Sequence, residues 1–277
     1  MLPDFIVIGA MKCGTTSLYY QLYAHKEVKM SIQKETNFFI SECDFEKGNY
    51  KKGQSWYESR FPEGGIARGE CSPNYTKAHL FPGVAERMQE LLPDVRLVYM
   101  VRDPIERLVS HYVQNRAQGL EDRPFYKAVN EPVDNKYVLT SRYFWQLEPY
   151  LEFFGLDQIL VQSLESYSTH PTKTLHDIHS FIGVDPEITD RQLKQRHFNS
   201  TSEKRIRGVW YRWLSGLLSQ PVKDTLRPYI PLSWIPGTPL KRPKLSRELR
   251  HQLVKSLQED VDSLRELTGN QFEQWDL

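Results

Sequence analysis

A lysine flanked by glycines and hydroxyl-bearing residues lies near the start of the chain, where it could bind a phosphate group. The segment Phe-Ile-Val-Ile-Gly-Ala-Met-Lys-Cys-Gly-Thr-Thr-Ser occupies residues 5–17. Glycines let backbone N–H groups close around an anion, and the first turn of the following helix offers N–H groups without partners inside the helix. The lysine adds a full positive charge. The residues predicted to bind the anion are Lys12, Cys13, Gly14, Thr15, Thr16 and Ser17.

The position of this lysine separates the segment from an ordinary ATP-binding loop. The nucleotide P-loop has the pattern G-x-x-x-x-G-K-[ST], in which the lysine follows the second glycine. Gly9 and Gly14 have that spacing, but Thr15 stands at the lysine position and Lys12 lies inside the loop. The loop is therefore predicted to hold a phosphate other than the γ-phosphate of ATP.

A second candidate anion site follows a strongly apolar strand in the middle of the chain. The segment Val-Arg-Asp-Pro-Ile-Glu-Arg-Leu-Val-Ser-His-Tyr spans residues 101–112. Arg102 and Ser110 could together bind a second phosphate, because a guanidinium group suits bidentate contact with phosphate. Taken alone, Arg-Asp-Pro at a strand-to-helix junction is more often a helix cap with a surface ion pair.

Strand and helix patterns alternate along the chain and predict an α/β fold. We expect a P-loop-like three-layer sandwich, in which helices flank a central parallel sheet and an irregular helical cap is added. Ligands of such sheets bind at the carboxyl ends of the strands, where both candidate sites lie. The predicted strands are 5–8, 28–30, 66–70, 96–101 and 159–161. The predicted helices are 15–24, 85–92, one that begins at 103–104, 143–154, 175–182 and 246–267.

Length and charge limit the kinds of partner. The 277 residues suit a single domain, 1–277, in which the proline- and aromatic-rich residues 185–245 form the cap and a loop over the ligands. A net charge of +1 gives no overall attraction to nucleic acid, so no nucleic-acid partner is expected. No apolar run approaches the roughly 20 residues that span a bilayer. Oligomeric state is left open.

The cysteine and histidine patterns point to neither a disulfide framework nor a metal site. Three scattered cysteines have no zinc or disulfide spacing, which favours a reducing compartment. The first strand begins near Asp4 and leaves no room for a signal peptide, so a cytoplasmic protein is expected. A lumenal domain, or a domain of a longer synthase, is the alternative. His176 and His179 have no third ligand nearby, so no metal is expected.

The two anion sites together resemble those of the sulfotransferases that use 3′-phosphoadenosine-5′-phosphosulfate (PAPS). The similarity is greatest to the branch with the heparan sulfate sulfotransferases and related bacterial enzymes. In that family a Gly-x-x-Lys-x-Gly-Thr-Thr/Ser loop holds the 5′-phosphosulfate, and an Arg-Asp/Asn-Pro…Arg…Ser segment holds the 3′-phosphate. Lys-Glu-x-x-Phe-Phe at 34–39, Gly-Glu-x-Ser-Pro-x-Tyr at 69–75 and residues 142–184 also match family segments.

The resemblance implies a reaction and roles for individual residues. PAPS would be the sulfuryl donor, PAP the product, and no metal would be required. Lys12 would stabilise the leaving phosphate, and Glu35 would be the general base that deprotonates a hydroxyl or amine of a carbohydrate or small-metabolite acceptor. Without the resemblance, Glu35 would be interpreted as a solvated carboxylate. The residues implied to bind substrate are Lys34, Asn37, Ser72, Tyr75 and His111.

A later basic segment is the candidate for the family's loop that closes over PAPS. Residues 197–205 contain it, and Lys204 and Arg205 are predicted to bind the cofactor, although a solvated run of surface charge is the competing interpretation. Two positions depart from the heparan-type pattern. Asn37 stands where some members have histidine, and Cys71 stands where they have lysine. These changes favour a less acidic acceptor, and Cys71 is expected to be a small buried side chain.

Two other functions stay open from the sequence. An ATP-dependent P-loop kinase would use Asp103, at the end of an apolar strand, to hold magnesium. A non-catalytic PAP- or PAPS-binding relative would keep the anion sites without turnover.

Overall fold

The structure is a computed structural model that describes residues 1–41, 48–129, 135–187 and 241–277, with the backbone of 205–207 and 237–239. The strands are β1 (Phe5–Gly9), β2 (Val28–Met30), β3 (Ala67–Cys71), β4 (Arg96–Val101), β5 (Ile159–Ser163), β6 (Arg205–Arg207) and β7 (Gly237–Pro239). The helices are α1 (Thr15–Ala24), α2 (Gly53–Glu58), α3 (Val84–Leu91), α4 (Pro104–Gln118), α5 (Phe125–Val129), α6 (Lys136–Leu139), α7 (Tyr143–Leu151), α8 (Leu164–Thr169), α9 (Pro171–Ile182) and α10 (Arg247–Thr268). Short 3₁₀ turns occupy Tyr50–Lys52 and Leu156–Gln158.

Five parallel strands form the central sheet in the order β2-β3-β1-β4-β5. Strand β1 lies in the middle, where Phe5 pairs with Gly69 of β3 on one side and with Arg96 of β4 on the other. Every residue of β1 is buried, because helices cover both faces of the sheet. This confirms the predicted α/β class and places the loops after β1 and β4 next to each other.

Most element boundaries agree with the prediction, and one strand is shifted. The third strand begins at Ala67, because Ile66 is 61% exposed and its N–H donates to Glu27 O (2.7 Å) before the sheet begins. Strand β5 continues to Ser163, beyond the apolar run that predicted it. Helix α4 starts as predicted, with Asp103 as its N-cap and Pro104 in its first turn.

Helix α4 is held by a second apolar core, separate from the one that contains the central sheet. Leu108 and Val109 of α4 pack in one cluster with Leu253 and Leu257 of α10. Helix α10 begins at Ser246, whose Oγ accepts a hydrogen bond from Leu249 N (3.2 Å). The C-terminal helix therefore fixes the helix that carries the second candidate anion site.

The predicted cap lies largely outside the described residues. Within residues 185–245, the structure describes only 185–187, the antiparallel pair of β6 and β7, and 241–245. In the part of the chain that is described, no helix is long and apolar enough to cross a membrane. Cys13 and Cys71 are buried free thiols, and Cys43 is outside the described residues.

Candidate active site

Two glycines of the loop after β1 are required by close contacts. A Cβ atom on Gly9 would lie 1.9 Å from Thr76 Oγ1, which is a severe clash. Gly14 has a φ of +83°, and a Cβ atom there would lie 2.6 Å from Leu164 Cδ1. The loop can therefore pass tightly between β1 and α1 only with glycine at these positions.

The N-terminus of α1 is suited to an anion. Gly14 is the N-cap of α1 and so offers no side-chain acceptor, and the first turn of the helix contains no acidic residue. The hydroxyl-bearing Thr15, Thr16 and Ser17 form that first turn. Helix N–H groups without a side-chain cap and a positive helix end favour a phosphate or sulfate group. The donors present thus fit the phosphate site predicted from the sequence.

Lys12 is held over the loop by a residue of α4. Its backbone has a φ of +77°, and its Nζ donates to Gln114 Oε1 at 2.7 Å. Gln114 lies one helical turn beyond Ser110, so both point from the same side of α4. Gln114 was not predicted from the sequence, although its spacing from Ser110 was the available signal.

The two cysteines near the loop support it as neutral thiols. Cys13 Sγ lies 3.5 Å from Tyr143 Oη, and Cys71 Sγ donates to Thr15 O at 3.5 Å. Burial raises the pKa of Cys13 to about 11 and that of Cys71 to about 12. Cys71 is buried as predicted. The side chain of Cys13 faces the core, so its predicted contact with a cofactor is limited to the backbone.

Asp103 uses both carboxylate oxygens to organise the start of α4. Oδ1 accepts from Glu106 N at 2.9 Å, and Oδ2 accepts from Asp276 N at 3.1 Å. Glu165 connects the same segment to the C-terminal residues, because its carboxylate accepts hydrogen bonds from Asp103 N at 3.1 Å and from Trp275 Nε1 at 3.1 Å. Asp103 is thus a capping residue whose oxygens are committed to backbone N–H groups, an arrangement that does not suit the magnesium ligand of a kinase.

Arg102 and Arg242 share one carboxylate at the end of β4. Arg102 Nη2 lies 3.1 Å from Glu106 Oε2, and Arg242 binds Glu106 Oε1. The segment is therefore a helix cap with an ion pair, and it brings two guanidinium groups together; binding of a phosphate there stays a prediction. Arg242 was missed, although the basic residues just before the last helix were a signal.

Three polar residues of α4, Arg107, Ser110 and His111, are buried. Ser110 is 6% exposed, and Arg107 is fully buried with hydrogen bonds to Ser141 Oγ (2.8 Å) and Tyr137 O (2.6 Å). His111 lies 3.4 Å from Arg107 and packs against Tyr137. Burial and the Arg107 charge lower the pKa of His111 well below its usual value, so it is neutral.

Glu35 is partly exposed and lies in an ion pair. Its Oε1 is 2.9 Å from Lys34 Nζ, and its side chain is 44% exposed. Asn37, two residues on, has a φ of +47° and its N–H donates to Ser72 Oγ at 3.2 Å. The predicted base is therefore accessible, and the segment that carries it is held by the hydrogen bond to Ser72.

Glu70 anchors that segment and was not singled out from the sequence. Its buried carboxylate accepts from the hydroxyls of Thr36, Tyr57 (2.7 Å), Ser72 (2.8 Å) and Tyr75 (3.0 Å). Burial raises the pKa of Glu70, and the hydroxyl donors oppose that change. Ser72 and Tyr75, predicted to contact substrate, are buried and donate to Glu70, so in this structure they support the Glu35 segment.

The family model for the sulfotransferase domain matches residues 2–258. The chain belongs to the sulfotransferase family. Members of this family are enzymes that transfer sulfuryl groups, and PAPS is the donor that their PAP-releasing reaction uses. Lys204 lies outside the described residues, and only the backbone of Arg205 is described, so neither predicted cofactor contact can be placed in this sulfotransferase.

Similarity to known sulfotransferases extends over most of the chain. Heparan sulfate glucosamine 3-O-sulfotransferase 3A1 of Mus musculus is 30% identical over 210 residues, which are 72% of this chain and 50% of that protein. Bifunctional heparan sulfate N-deacetylase/N-sulfotransferase 2 of Homo sapiens is 26% identical over 234 residues, 78% of this chain and 25% of that protein. The chain thus spans half or less of these relatives.

A solved structure shares the fold of this sulfotransferase over its whole length. The sulfotransferase from Alicyclobacillus acidocaldarius superposes with a TM-score of 0.71 at 24% sequence identity, covering 100% of both chains. This agreement supports the three-layer α/β architecture.

Proposed function

We propose that this sulfotransferase transfers the sulfuryl group of PAPS to a hydroxyl or amine of a carbohydrate or small-metabolite acceptor. The observation that carries the proposal is the placement of two cationic sites on neighbouring strands. Lys12 follows β1 and Arg102 follows β4, and these strands pair directly, with Val7 opposite Val98. A nucleotide with phosphates at both its 5′ and 3′ ends matches such a pair of sites.

Donor binding is assigned to two groups of residues. Lys12, the hydroxyls of the first turn of α1 and its N–H groups would hold the 5′-phosphosulfate. Arg102, Ser110 and, in addition, Arg242 would hold the 3′-phosphate, and the shared partner Glu106 keeps the two guanidinium groups close together before the phosphate binds. When bound, PAPS supplies the sulfuryl group and a phosphate leaving group.

Transfer is assigned to Glu35 and Lys12. Glu35 accepts the proton of the acceptor hydroxyl or amine, whose oxygen or nitrogen forms a bond to sulfur while the bond from sulfur to the bridging oxygen breaks. Lys12 offsets the negative charge that develops on the leaving phosphate. The ion pair holds the Glu35 carboxylate 2.9 Å from Lys34 Nζ, on the side of the site assigned to the acceptor.

The acceptor class is inferred from the relatives. These relatives include both O- and N-sulfotransferases of heparan sulfate, so a carbohydrate hydroxyl or amine is the first class to test.

We propose a single domain over residues 1–277. We also propose a reducing cytoplasm as its compartment, which the free thiols of Cys13 and Cys71 support.

Calorimetric titration with PAP tests the donor assignment. Saturable binding of PAP, and sulfuryl transfer from PAPS to carbohydrate acceptors in the presence of EDTA, are the expected results. Absence of PAP binding to the folded protein would reject the proposal, and a strict need for ATP and Mg²⁺ would favour the kinase alternative.

A further inference from the structure

A second lysine approaches the loop from the segment after β3. Lys77 Nζ donates to Asn74 Oδ1 at 2.7 Å and lies 3.4 Å from Met11 Sδ. Met11 immediately precedes Lys12 in the phosphate loop. The ammonium group of Lys77 therefore reaches the loop at a point next to the lysine that is assigned to the 5′-phosphosulfate.

The partners of Lys77 leave its charge uncompensated within the described part of the chain. Both its acceptors are neutral: one is an amide oxygen, and the other is a thioether, which is a weak acceptor that an anionic oxygen readily replaces. Lys34 differs, since its Nζ is paired with Glu35 at 2.9 Å. A half-buried ammonium group without a carboxylate partner is a favourable site for an oxyanion.

Charges on both sides of the site influence Lys77. Burial and the positive charge of Arg107 lower the pKa of Lys77 to about 8, and Glu35 acts in the opposite direction. The charge of Lys77 also affects two histidines. Burial lowers the pKa of His79 to about 4 and that of His111 well below its usual value, and Lys77 adds to both decreases. The pKa of Lys77 thus lies in the moderately alkaline range.

Asn74 joins Lys77 to the segment that carries Glu35. Asn74 Oδ1 accepts from Lys77, and Asn74 Nδ2 donates to Asn37 Oδ1 at 3.3 Å. The side-chain amide of Asn74 thereby fixes Lys77 relative to the loop on one side and the Glu35 segment on the other. A bound sulfuryl group has to lie between these two elements, because Lys12 is assigned to its leaving phosphate and Glu35 to its acceptor.

We propose that Lys77 donates a hydrogen bond to a sulfuryl oxygen of PAPS. This inference rests on the proposed function and extends it to a residue outside the motifs that identified the family. Lys77 would then supply the cation that contacts the sulfuryl group. Residue 71, in the preceding strand, cannot do so because it is a cysteine with a buried, neutral thiol.

The test compares the affinities for PAPS and PAP, which differ only by the sulfuryl group, in calorimetric titrations without acceptor. Lys77→Met should weaken PAPS binding about tenfold to hundredfold and change PAP binding less than about twofold, since a charge-assisted hydrogen bond is lost only with PAPS. Lys77→Arg should restore most of the difference. Lys255→Met, at an exposed position of α10, is the matched control and should leave both affinities unchanged.

The pH dependence adds a readout that a structural role would not change. In the parent protein the ratio of PAPS to PAP affinity should fall as the pH rises above about 8, where Lys77 loses its proton, and in Lys77→Arg it should stay constant. Parallel loss of PAPS and PAP affinity in Lys77→Met, or no loss of either, would overturn the assignment of Lys77 alone. Failure of the parent protein to bind PAP would instead overturn the proposed function.

Discussion

Lys12 Nζ donates a hydrogen bond to Gln114 Oε1 across 2.7 Å, and this contact joins the loop after β1 to the helix after β4. An amide oxygen orients an ammonium group without neutralising it, so Gln114 can position Lys12 for the phosphate. The same helix carries Ser110, which is assigned to the 3′-phosphate. The two ends of the proposed nucleotide site are therefore coupled through one rigid element.

Replacement of Lys12 should remove catalysis and leave the fold intact. We expect Lys12→Ala to lower kcat about 10²- to 10³-fold, the range found when one donor to a developing negative charge is removed. The transfer of ³⁵S from labelled PAPS to acceptor measures the rate, and circular dichroism checks the fold. Lys255→Ala serves as the control, and undiminished transfer by Lys12→Ala would contradict the mechanism.

Replacement of Glu35 should separate binding from turnover. Glu35→Gln keeps the size of the side chain but cannot accept the acceptor proton, so transfer should fall at least about 10²-fold. PAP affinity, measured by calorimetry, should remain within about twofold of the parent value because Glu35 faces the acceptor side. A variant that transfers at the parent rate would show that another group is the base, whereas loss of PAP binding would place Glu35 in the donor site.

Replacement of Arg242 should weaken binding through the 3′-phosphate only. Arg242→Ala is expected to lower PAP affinity about tenfold to hundredfold and to leave the affinity for adenosine 5′-monophosphate, which lacks the 3′-phosphate, almost unchanged. Arg247→Ala, at an exposed position five residues later, is the control. Equal losses for the two nucleotides would mean that Arg242 supports the site without touching the 3′-phosphate.

Replacement of Glu70 should destabilise the protein. Glu70→Gln substitutes an amide donor for one of the oxygens that accept hydroxyl protons from four residues, so we expect a loss of about 1–3 kcal/mol in the free energy of unfolding. Urea denaturation measures the change. Glu90→Gln, on the exposed side of α3, should have almost no effect, and equal stability of the two variants would refute the role of Glu70.

Stability should decrease in acid because of His179. Neither ring nitrogen of His179 has a partner among the described residues, its ring packs 4.5 Å from that of His25, and burial lowers its pKa from 6.5 to about 4. Between these pH values the unfolded chain binds a proton and the native state does not, so the free energy of unfolding falls as the pH falls, by at most about 3 kcal/mol.

The matched pair His179→Phe and His176→Phe tests this sign. Chemical denaturation at about pH 7, 5.5 and 4.5 measures the free energy of unfolding. Its dependence on pH should become weaker in His179→Phe only, since His176 is 51% exposed. An unchanged slope in His179→Phe would assign the acid sensitivity to other groups.

Local patterns predicted the elements of this fold better than its contacts. The run Phe5 to Ile8 and the glycine-bounded loop predicted β1 and α1 because both signals lie within a few residues. Asp103 as N-cap was predictable for the same reason. The sequence did not predict that Glu106 binds both Arg102 and Arg242, because that contact requires α10 to return beside α4.

Burial was the other property that sequence patterns did not predict. Ser72 and Tyr75 are polar residues in a matched motif, which favoured a role in substrate contact. Their hydroxyls instead satisfy a carboxylate that the fold encloses, and enclosure depends on the aromatic packing of Phe38 and Tyr57 at 4.1 Å. Lys77 went unnoticed because nothing in its local sequence shows that it turns toward Met11.

The central position of β1 has a kinetic consequence. Phe5 finds its neighbours Gly69 and Arg96 only after long stretches of chain have been brought together, and parallel pairings of this kind form slowly. The phosphate loop, although it is a short local motif, therefore acquires its shape late in folding. A nucleotide that binds it would recognise the completed sheet and would act as a ligand of the native state alone.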